Sequence, residues 1–503
     1  MRSRRHHFFR GLTAGYVALG ANLIYTMASV PLALHYLGRE QFGLWALAQQ
    51  ISGYLMLLDL GMSASISRLV ANSKHQVQGG EYGSLLLTGA GVFFVQALVV
   101  FVLSFLFSLV AGHLFVIPPA LEPTFRAAIL ILAGITSLSL FLRSLGIPLW
   151  AFQRMEVINQ CMAANLLLGL VFLWLGFLWG WGFYSLAVAG LPGTLLTAWV
   201  SFWVCKKNGY YPSSRQAWGR PSRLSLQTSL VFGKDIFLIG LGSQLSNASQ
   251  VMLISRWVGL EAAAVFSIAT KGYTLAQQLG AKIVQNAVSG LTDLYVNGDR
   301  DRFGRRIFHL FVLTALFACL AGSGLILSNR AWIRLWTGSR ILFSEWGDML
   351  LGFLLLSTAM SFTSIESFMA QGTLQRIRWV RFLEGLLIVV FSFVGARTFG
   401  QDGVLAATLL ASLLSLAMLL GRLGQSLPQI GWLTAVLLFK SVMILGAAAA
   451  FSLLGGSFFQ PLSLGTAVFW AGLAITTYIW IIPRDLQQEF AAALSAFWRN
   501  RKP

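Results

Sequence analysis

Apolar stretches long enough to cross a lipid bilayer recur along the whole chain, and they constrain its fold more than any other feature. A bilayer core takes about 20 helical residues, and only helices or closed barrels satisfy the backbone hydrogen bonds inside it. Fourteen such segments can be marked, numbered 1 to 14: residues 11–37, 42–69, 83–111, 126–152, 157–180, 182–204, 228–256, 262–291, 307–328, 346–372, 379–399, 401–421, 433–453 and 462–482. The sequence therefore predicts an all-α polytopic membrane protein with about 14 transmembrane helices.

The positive charge of the chain lies between these segments and is not gathered in one domain. The net charge is +19, yet only 11% of the residues are charged. Alternate assignment of the loops places 25 of the 36 Lys and Arg residues on the side of the amino terminus and seven on the other. This bias obeys the positive-inside rule. It predicts a multi-pass protein of the cytoplasmic membrane with both termini in the cytoplasm, in contact with membrane lipids and not with nucleic acid.

Motifs for cofactor chemistry are not found in the sequence. The three cysteines have no paired spacing, and no Gly-x-x-x-x-Gly-Lys-Ser/Thr, His-Glu-x-x-His or Gly-x-Ser-x-Gly motif occurs. We therefore expect no metal, no cofactor and no enzyme activity. A membrane glycosyltransferase or ligase is a less favoured alternative, and an ATP-driven pump is disfavoured.

An internal duplication relates the two halves of the chain at an offset of 221 residues. Gly38 matches Gly259, and Glu40 matches Glu261. Three polar positions on segment 1 repeat as polar positions on segment 7: Asn22, Thr26 and Ser29 correspond to Ser243, Asn247 and Gln250. Halves with an even number of crossings share one orientation, so a pseudo-twofold axis along the membrane normal is predicted, with the substrate site between the halves.

The duplication predicts the domain organisation. The expected parts are a six-helix lobe at 1–205, a basic cytoplasmic linker at 206–227, a second six-helix lobe at 228–422, two additional helices at 433–482 and an amphipathic basic tail at 484–503.

A polar stripe runs along segment 8. Its members recur at three- and four-residue spacing and share one helix face: Lys271, Thr274, Gln278, Lys282, Gln285 and Ser289. A charge near the bilayer centre costs at least about 2.5 kcal/mol, so two lysines on one face suggest contact with water, protein or a bound anion. The alternative is that each lysine extends toward its nearer interface.

Other polar residues inside the segments are candidates for binding, ion coupling or gating. Arg143 on segment 4 requires a carboxylate or phosphate partner, for which Glu366 on segment 10 is one candidate. Asp59 and Glu366 are also candidates for ion coupling, although both could be residues near helix ends. Arg68 and Asp235 lie nearer the cytoplasmic ends and are gate candidates, with a solvated role as the alternative.

The first part of the chain resembles the polysaccharide biosynthesis, O-antigen-flippase-like family. The resemblance rests on residues 38–45 (GREQFGLW), 46–50 (ALAQQ), Gly53, 59–61 (DLG) and 63–68 (SASISR). This family belongs to the superfamily of multidrug, oligosaccharidyl-lipid and polysaccharide exporters. The resemblance implies two helical lobes, with segments 1, 2, 7 and 8 lining a cavity that opens alternately to each side of a bacterial or archaeal inner membrane.

The same resemblance implies a substrate, and the residues suggest which groups would bind it. The expected substrate is an undecaprenyl-diphosphate-type lipid-linked glycan, moved to the outer leaflet by a monomer that uses a proton or Na⁺ gradient. Glycosyltransferases and a polymerase are possible partners. Lys271, Lys282 and Arg143 would bind the diphosphate, and the sugar would meet Gln278, Gln285, Asn22, Thr26, Asn247 and Gln250. A lipid II-type flippase and a multidrug antiporter are the alternatives.

Overall fold

The computed structural model describes residues 2–338, 341, 343–373, 375–454 and 464–483. Within these ranges, the side chains of residues 2–12, 224–225, 231–236, 289, 376, 428–429 and 464 are not described. The predicted amphipathic tail, 484–503, lies outside the described residues.

Helices account for all the regular secondary structure of the described residues. In chain order they are α1 (Arg2–Leu55), α2 (Met62–Ser73), α3 (Glu81–Phe115), α4 (Glu122–Leu142), α5 (Ile147–Ala151), α6 (Met155–Leu178), α7 (Tyr184–Val188), α8 (Leu191–Lys207), α9 (Arg215–Trp218), α10 (Arg223–Trp257), α11 (Leu260–Ala269), α12 (Lys271–Val296), α13 (Arg300–Thr337), α14 (Glu345–Ala370), α15 (Gln375–Ser426), α16 (Pro428–Leu454) and α17 (Leu464–Ile481). Short 3₁₀ helices occupy Met56–Asp59, Lys74–Gln76 and Arg143–Gly146.

The all-α polytopic membrane fold is confirmed. Within the described residues, nine helices are long and apolar enough to cross a membrane. Two of these, Thr13–Asp59 and Ile377–Ser426, are 47 and 50 residues long, and each contains a kink, at Gly38 and at Gly400. The first long helix therefore holds most of segment 1 and the first part of segment 2, and the second holds segments 11 and 12. Helices α10 and α12 are not among these nine, and the total of 14 crossings stays a prediction.

Three of the predicted segments contain an interruption of the helix. Segment 2 breaks after Asp59, where Leu60 and Gly61 both take left-handed backbone angles (φ 51° and 72°). Segment 4 breaks at Arg143–Gly146, just before Pro148 in the first turn of α5, because proline cannot donate the hydrogen bond that would continue a helix. Segment 8 breaks at Thr270, between α11 and α12.

The chain divides into two compact units, residues 1–264 and 265–503. In unit 1, a hydrophobic cluster joins α2, α3 and α5 through Met62, Ile66, Tyr82, Phe93 and Ile147. In unit 2, α13 and α14 form the buried centre, and their fully buried side chains include Phe303, Phe311, Leu351, Leu355 and Phe368. The lobe boundaries expected from the duplication stay a prediction.

The predicted linker, 206–227, is packed against unit 1 over much of its length. The Tyr211 hydroxyl donates to the Leu145 carbonyl at 2.7 Å, and the Tyr82 hydroxyl donates to the Tyr210 carbonyl at 2.9 Å. Burial raises the pKa of the Tyr211 phenol, which therefore stays a neutral donor at physiological pH. Gly83 on α3 allows α9 to approach, since a side chain there would overlap the Ala217 carbonyl and the Trp218 backbone.

Candidate functional site

An ionic cluster in unit 1 joins two of the helix breaks. The Ser63 hydroxyl donates to Asp59 Oδ1 at 2.7 Å, and Arg143 Nη1 donates to Ser63 Oγ at 3.0 Å. Arg143 Nη1 also lies 4.0 Å from Asp59 Oδ1. Asp59 is the last residue of one 3₁₀ helix and Arg143 the first residue of another. The cluster therefore supplies Arg143 with a carboxylate neighbour, Asp59, from within its own unit.

The backbone beside Asp59 is fixed by a residue that the sequence did not reveal. Gln96 on α3 is buried, and its Nε2 donates to the Asp59 carbonyl at 2.9 Å. This carbonyl belongs to the broken turn, where the regular helical acceptor pattern has ended. A glutamine in an apolar segment signals a buried partner, but the spacing along the chain could not indicate which one.

Arg143 also lines a pocket of about 260 Å³ in unit 1. The polar residues of its wall come from three further elements, and they include Ser139, Asn165, Thr197 and Ser201. The Arg143 side chain keeps 38% of its surface exposed, so the guanidinium is shared between the Asp59 cluster and an open space. A pocket with one cation and several hydroxyl and amide groups can accept a polar or anionic group.

The polar stripe lies on one uninterrupted helix, because Lys271 begins α12 and the helix continues to Val296. Lys271, Thr274 and Gln278 are half-buried, whereas Lys282 and Gln285 are exposed. Lys271 and Lys282 make no hydrogen bond or ion pair with any described residue. The Ser289 side chain is outside the described residues. The two lysines therefore differ in environment.

The repeated polar positions of α1 and α10 lie in unit 1. Asn22 and Thr26 are half-buried. On α10, Asn247 is exposed and its Nδ2 donates to the Ser243 carbonyl at 2.8 Å, while Gln250 Nε2 donates to the Ser246 carbonyl at 3.0 Å. These two side-chain amides therefore donate to carbonyl groups of their own helix.

Direct contacts between α1 and α10 involve residues that sequence reasoning missed. The hydroxyls of Tyr54 and Ser249 form a short hydrogen bond. The adjacent residue, Gly53, faces the Gln244 side-chain amide, and a Cβ at this glycine would overlap it. The glycine therefore allows a polar side chain of α10 to pass close to α1.

Unit 2 contains a second set of buried polar groups beside the stripe. The Tyr273 hydroxyl donates to Thr358 Oγ1 at 3.3 Å, and Gln277 Nε2 donates to the Tyr273 hydroxyl at 3.4 Å. Arg381 and Glu384 are three residues apart on α15 and form an ion pair, with Nη1 to Oε2 at 2.6 Å. Glu384 also accepts from Ser415 Oγ at 2.9 Å. The Tyr273 and Thr358 pair joins α12 to α14, so periodicity along the chain could not predict it.

The ion-coupling and gate candidates not yet described lie on α14, α2 and α10. Glu366 is half-buried on α14, and it makes no hydrogen bond with any described residue. Arg68 is exposed on α2. The backbone at Asp235 belongs to α10, but its side chain is outside the described residues. No group of three or more potential metal ligands occurs among the residues that the structure describes.

Comparison with known families decides the classification. The family model described as "Polysaccharide biosynthesis protein" matches residues 13–289, just over half of the chain. The chain belongs to the polysaccharide biosynthesis protein family. The matched range includes the Asp59 cluster and the polar stripe of α12, so both candidate sites lie in the part of the chain that carries the family pattern. No curated protein matches the sequence.

Solved structures show that this family member has the fold of MOP-superfamily transporters. An inward-facing multidrug resistance MATE transporter is 14% identical with a TM-score of 0.67, covering 82% of this chain and 94% of its own. The lipid II flippase MurJ in an inward closed conformation is 16% identical with a TM-score of 0.65, covering 94% and 97%. A MOP transporter from Pyrococcus furiosus is 15% identical with a TM-score of 0.58, covering 84% and 95%.

Proposed function

We propose that this protein is a flippase that moves a lipid-diphosphate-linked oligosaccharide, a polysaccharide precursor, from the inner to the outer leaflet. The observation that carries the proposal is the polar face of α12, where two lysines and two glutamines share one helix of a polysaccharide biosynthesis protein. Energy would come from a proton or Na⁺ gradient through alternating access. The lipid would be of the undecaprenyl-diphosphate type.

The proposed substrate has an anionic diphosphate and a sugar chain with many hydroxyl groups, and the two kinds of residue fit these parts. Lys271 and Lys282 would act as point charges for the diphosphate, and Arg143 could offer a planar pair of donors. The sugar would bond to side-chain amides and one hydroxyl, those of Asn22, Thr26, Asn247, Gln250, Gln278 and Gln285. The lipid tail can stay in the bilayer.

Glu366 is the better of the two candidates for ion coupling. Asp59 already accepts from Ser63 and lies next to Arg143, so its negative charge is balanced within unit 1. Glu366 has no such partner among the described residues, and a half-buried carboxylate without a partner can take up and release a proton. We assign Asp59 to the positioning of Arg143 and keep Arg68 and Asp235 as gate candidates.

The proposed function includes a cellular setting. The protein would act as a monomer in a bacterial or archaeal cytoplasmic membrane, with both termini in the cytoplasm. Glycosyltransferases would supply its substrate there, and a polymerase or ligase would consume the product on the other side.

A lipid II-type flippase is the second candidate, favoured by the structural likeness to a protein named as a lipid II flippase. Its substrate has the same diphosphate, so the basic face of α12 serves both candidates. A multidrug exporter for cationic compounds fits less well, because lysines on the pathway would repel such cargo. The transporter from Pyrococcus furiosus is an example of a MOP-superfamily protein whose binding pocket has reverse polarity, which suggests a different function for that protein.

The proposal is tested by replacing both lysines with alanine in a strain that depends on this protein for surface polysaccharide. Lys271→Ala with Lys282→Ala should abolish export while the membrane level of the protein stays unchanged. Lys440→Ala is the control, because the Lys440 ammonium donates to the Trp480 carbonyl at 3.0 Å, away from the stripe. Normal export by the double variant would contradict the assignment of the stripe.

A further inference from the structure

The pocket that Arg143 lines in unit 1 has a wall of polar side chains with unused hydrogen-bonding groups. Ser139 comes from α4, Asn165 from α6 and Ser201 from α8. None of these three side chains makes a hydrogen bond with any described residue. Thr197 differs from them, since its hydroxyl donates to a carbonyl of its own helix at 2.8 Å. Three helices therefore present one amide and two hydroxyls to the same space.

Ser201 is the clearest indication of a ligand. Its side chain lines the pocket although the residue is only 6% exposed. The Oγ atom is not fully enclosed by protein, so a ligand in the pocket can reach it. Gly146 faces it, and a Cβ there would lie 3.6 Å from the Ser201 hydroxyl, so the glycine leaves space beside this group. A buried hydroxyl without a partner is costly, and a ligand oxygen would remove that cost.

Arg143 adds charge-assisted donors to this wall. Its Nη1 atom donates to Ser63, whereas its Nε and Nη2 atoms make no hydrogen bond with any described residue. Asp59, 4.0 Å from Nη1, offsets part of the positive charge. None of the fourteen described lining residues is acidic. One partly balanced guanidinium suits a singly charged phosphodiester, whose oxygens match its planar donors.

The mouth of the pocket is apolar. The most exposed of its lining residues are Trp150 and Met162, with 49% and 54% of their surfaces exposed. The volume of about 260 Å³ is below the range of about 300 to 1,000 Å³ that is usual for drug-sized ligands, so a headgroup fits but a whole lipid does not. The loop between segments 4 and 5 is cytoplasmic by the predicted orientation, which places the pocket in the inner half of the membrane. A polar pocket with an apolar mouth at this depth fits an amphipathic ligand.

We propose that this pocket binds the headgroup of a lipid that carries a phosphodiester next to hydroxyl groups, as phosphatidylglycerol does. Arg143 donates to the phosphate. Ser139, Asn165 and Ser201 bond to the headgroup hydroxyls, since amides and hydroxyls can both donate and accept. The acyl chains stay outside, beside Trp150. The test needs no flipping step, so failure of the flippase proposal would leave this one standing.

The experiment compares two double variants that leave the net charge unchanged. Asn165→Ala with Ser201→Ala removes two uncharged groups of the pocket and keeps Arg143. Ser144→Ala with Asn208→Ala is the control, because Ser144 is next to Arg143 but does not line the pocket, and Asn208 is exposed at the end of α8. Thermal unfolding of each variant shows that it is folded.

Lipid retention is measured by native mass spectrometry after purification from nanodiscs. The nanodiscs contain phosphatidylcholine, phosphatidylglycerol and phosphatidylethanol in equal parts. Phosphatidylethanol has the same charge as phosphatidylglycerol but no headgroup hydroxyl, so the ratio of these two lipids on the protein reports on the hydroxyl contacts.

Wild type and the control variant should prefer phosphatidylglycerol over phosphatidylethanol about tenfold, which corresponds to about 1.4 kcal/mol and is within reach of two neutral hydrogen bonds. The pocket variant should lose this preference. Asn165→Asp, which has nearly the same size but adds a negative charge, should lower retention of both anionic lipids. The proposal is overturned if wild type retains neither anionic lipid or both equally, or if the pocket and control variants give the same ratio.

The lipid-linked glycan of the proposed function has phosphate and hydroxyl groups too, and a competition arm separates the two sources. Undecaprenyl-diphosphate-linked oligosaccharide is added to wild type that retains phosphatidylglycerol. Displacement identifies the glycan headgroup as a ligand of the same pocket, a conclusion that rests on the proposed function. Unchanged retention identifies a resident phospholipid. Both results support the site, because both require the wild-type preference.

Discussion

Arg143 Nη1 lies 4.0 Å from Asp59 Oδ1, and Ser63 Oγ is placed between them as acceptor from the arginine and donor to the carboxylate. The relationship connects two helix breaks that are far apart in sequence. A partly exposed ion pair at this distance contributes little to the free energy of unfolding. Its role is therefore to position the Arg143 side chain. It holds one side of the Arg143 guanidinium and leaves the other side toward the pocket.

This geometry predicts measurable coupling between the two charged residues. In a double-mutant cycle with Asp59→Asn and Arg143→Gln, we expect an interaction free energy of about 1 kcal/mol, because both side chains hydrogen-bond to the Ser63 hydroxyl. The measurement is the free energy of unfolding in detergent. A cycle with Asp59→Asn and Arg126→Gln is the control, since Arg126 pairs with Glu122 elsewhere. Full additivity of Asp59 with Arg143 would contradict the assigned contact.

The buried ion pair of unit 2 should matter more for stability. The Arg381 and Glu384 side chains are only 17% and 3% exposed. Glu384→Gln leaves the Arg381 charge without its carboxylate and should lower the free energy of unfolding by about 3 kcal/mol. The exposed Asp301 is the matched control, and Asp301→Asn should change stability by less than about 0.5 kcal/mol. Equal effects of the two substitutions would contradict the buried pair.

Glu366 should determine the dependence of transport on a proton gradient. Glu366→Gln keeps the shape of the side chain but cannot exchange a proton, so transport in vesicles should no longer respond to an imposed pH gradient. Glu261→Gln serves as control, because Glu261 is exposed in the first turn of α11. A pH-gradient response that persists in the Glu366 variant would remove this carboxylate from the coupling mechanism.

Gly83 should be essential for the docking of the 206–227 segment. Gly83→Ala places a methyl group against the Ala217 carbonyl and should detach α9, which would expose the basic segment to trypsin. Gly91→Ala on the same helix has open space around it and should leave cleavage unchanged. Identical cleavage rates in the two variants would show that the close approach of α9 is not needed for docking.

The duplication predicts that Gly38 and Gly259 have similar backbone conformations. Both have a positive φ, 74° and 121°. Neither has a neighbour that a side chain would meet. Alanine at either position should therefore cost about 1 kcal/mol or more through backbone strain alone. Gly134→Ala on α4, also in open space, should be neutral or stabilising in the same unfolding measurement. Neutral Gly38 and Gly259 variants would contradict the shared left-handed turn.

The sequence was sufficient for features that depend on local pattern. Apolar length predicted the membrane helices, and three- and four-residue spacing predicted that Lys271 and Gln285 share one helix. The Arg381 and Glu384 pair was predictable because three-residue spacing brings side chains together on a helix. These features need no information about which helices are neighbours.

The partners of the candidate residues depend on packing between helices, and the sequence could not supply them. The duplication suggested Glu366 as a partner for Arg143, which stays a prediction, whereas packing within unit 1 gives Arg143 a carboxylate neighbour in Asp59 that the sequence did not indicate. The breaks after Asp59 and at Arg143 were missed because the surrounding residues remain apolar through the break. Polar residues such as Gln96 and Tyr273 gave a signal, yet their acceptors lie on other helices.

The most direct test of the proposed function is flipping by the purified protein in liposomes. A fluorescent undecaprenyl-diphosphate-linked oligosaccharide is placed in both leaflets, and an enzyme added outside modifies only the accessible molecules. With wild type and an imposed ion gradient, the enzyme should modify the molecules of both leaflets. With the variant Lys271→Ala with Lys282→Ala, it should modify only those of the outer leaflet. Lys440→Ala should behave as wild type. Exposure of the inner pool at the same rate in protein-free liposomes and with wild type would contradict the account.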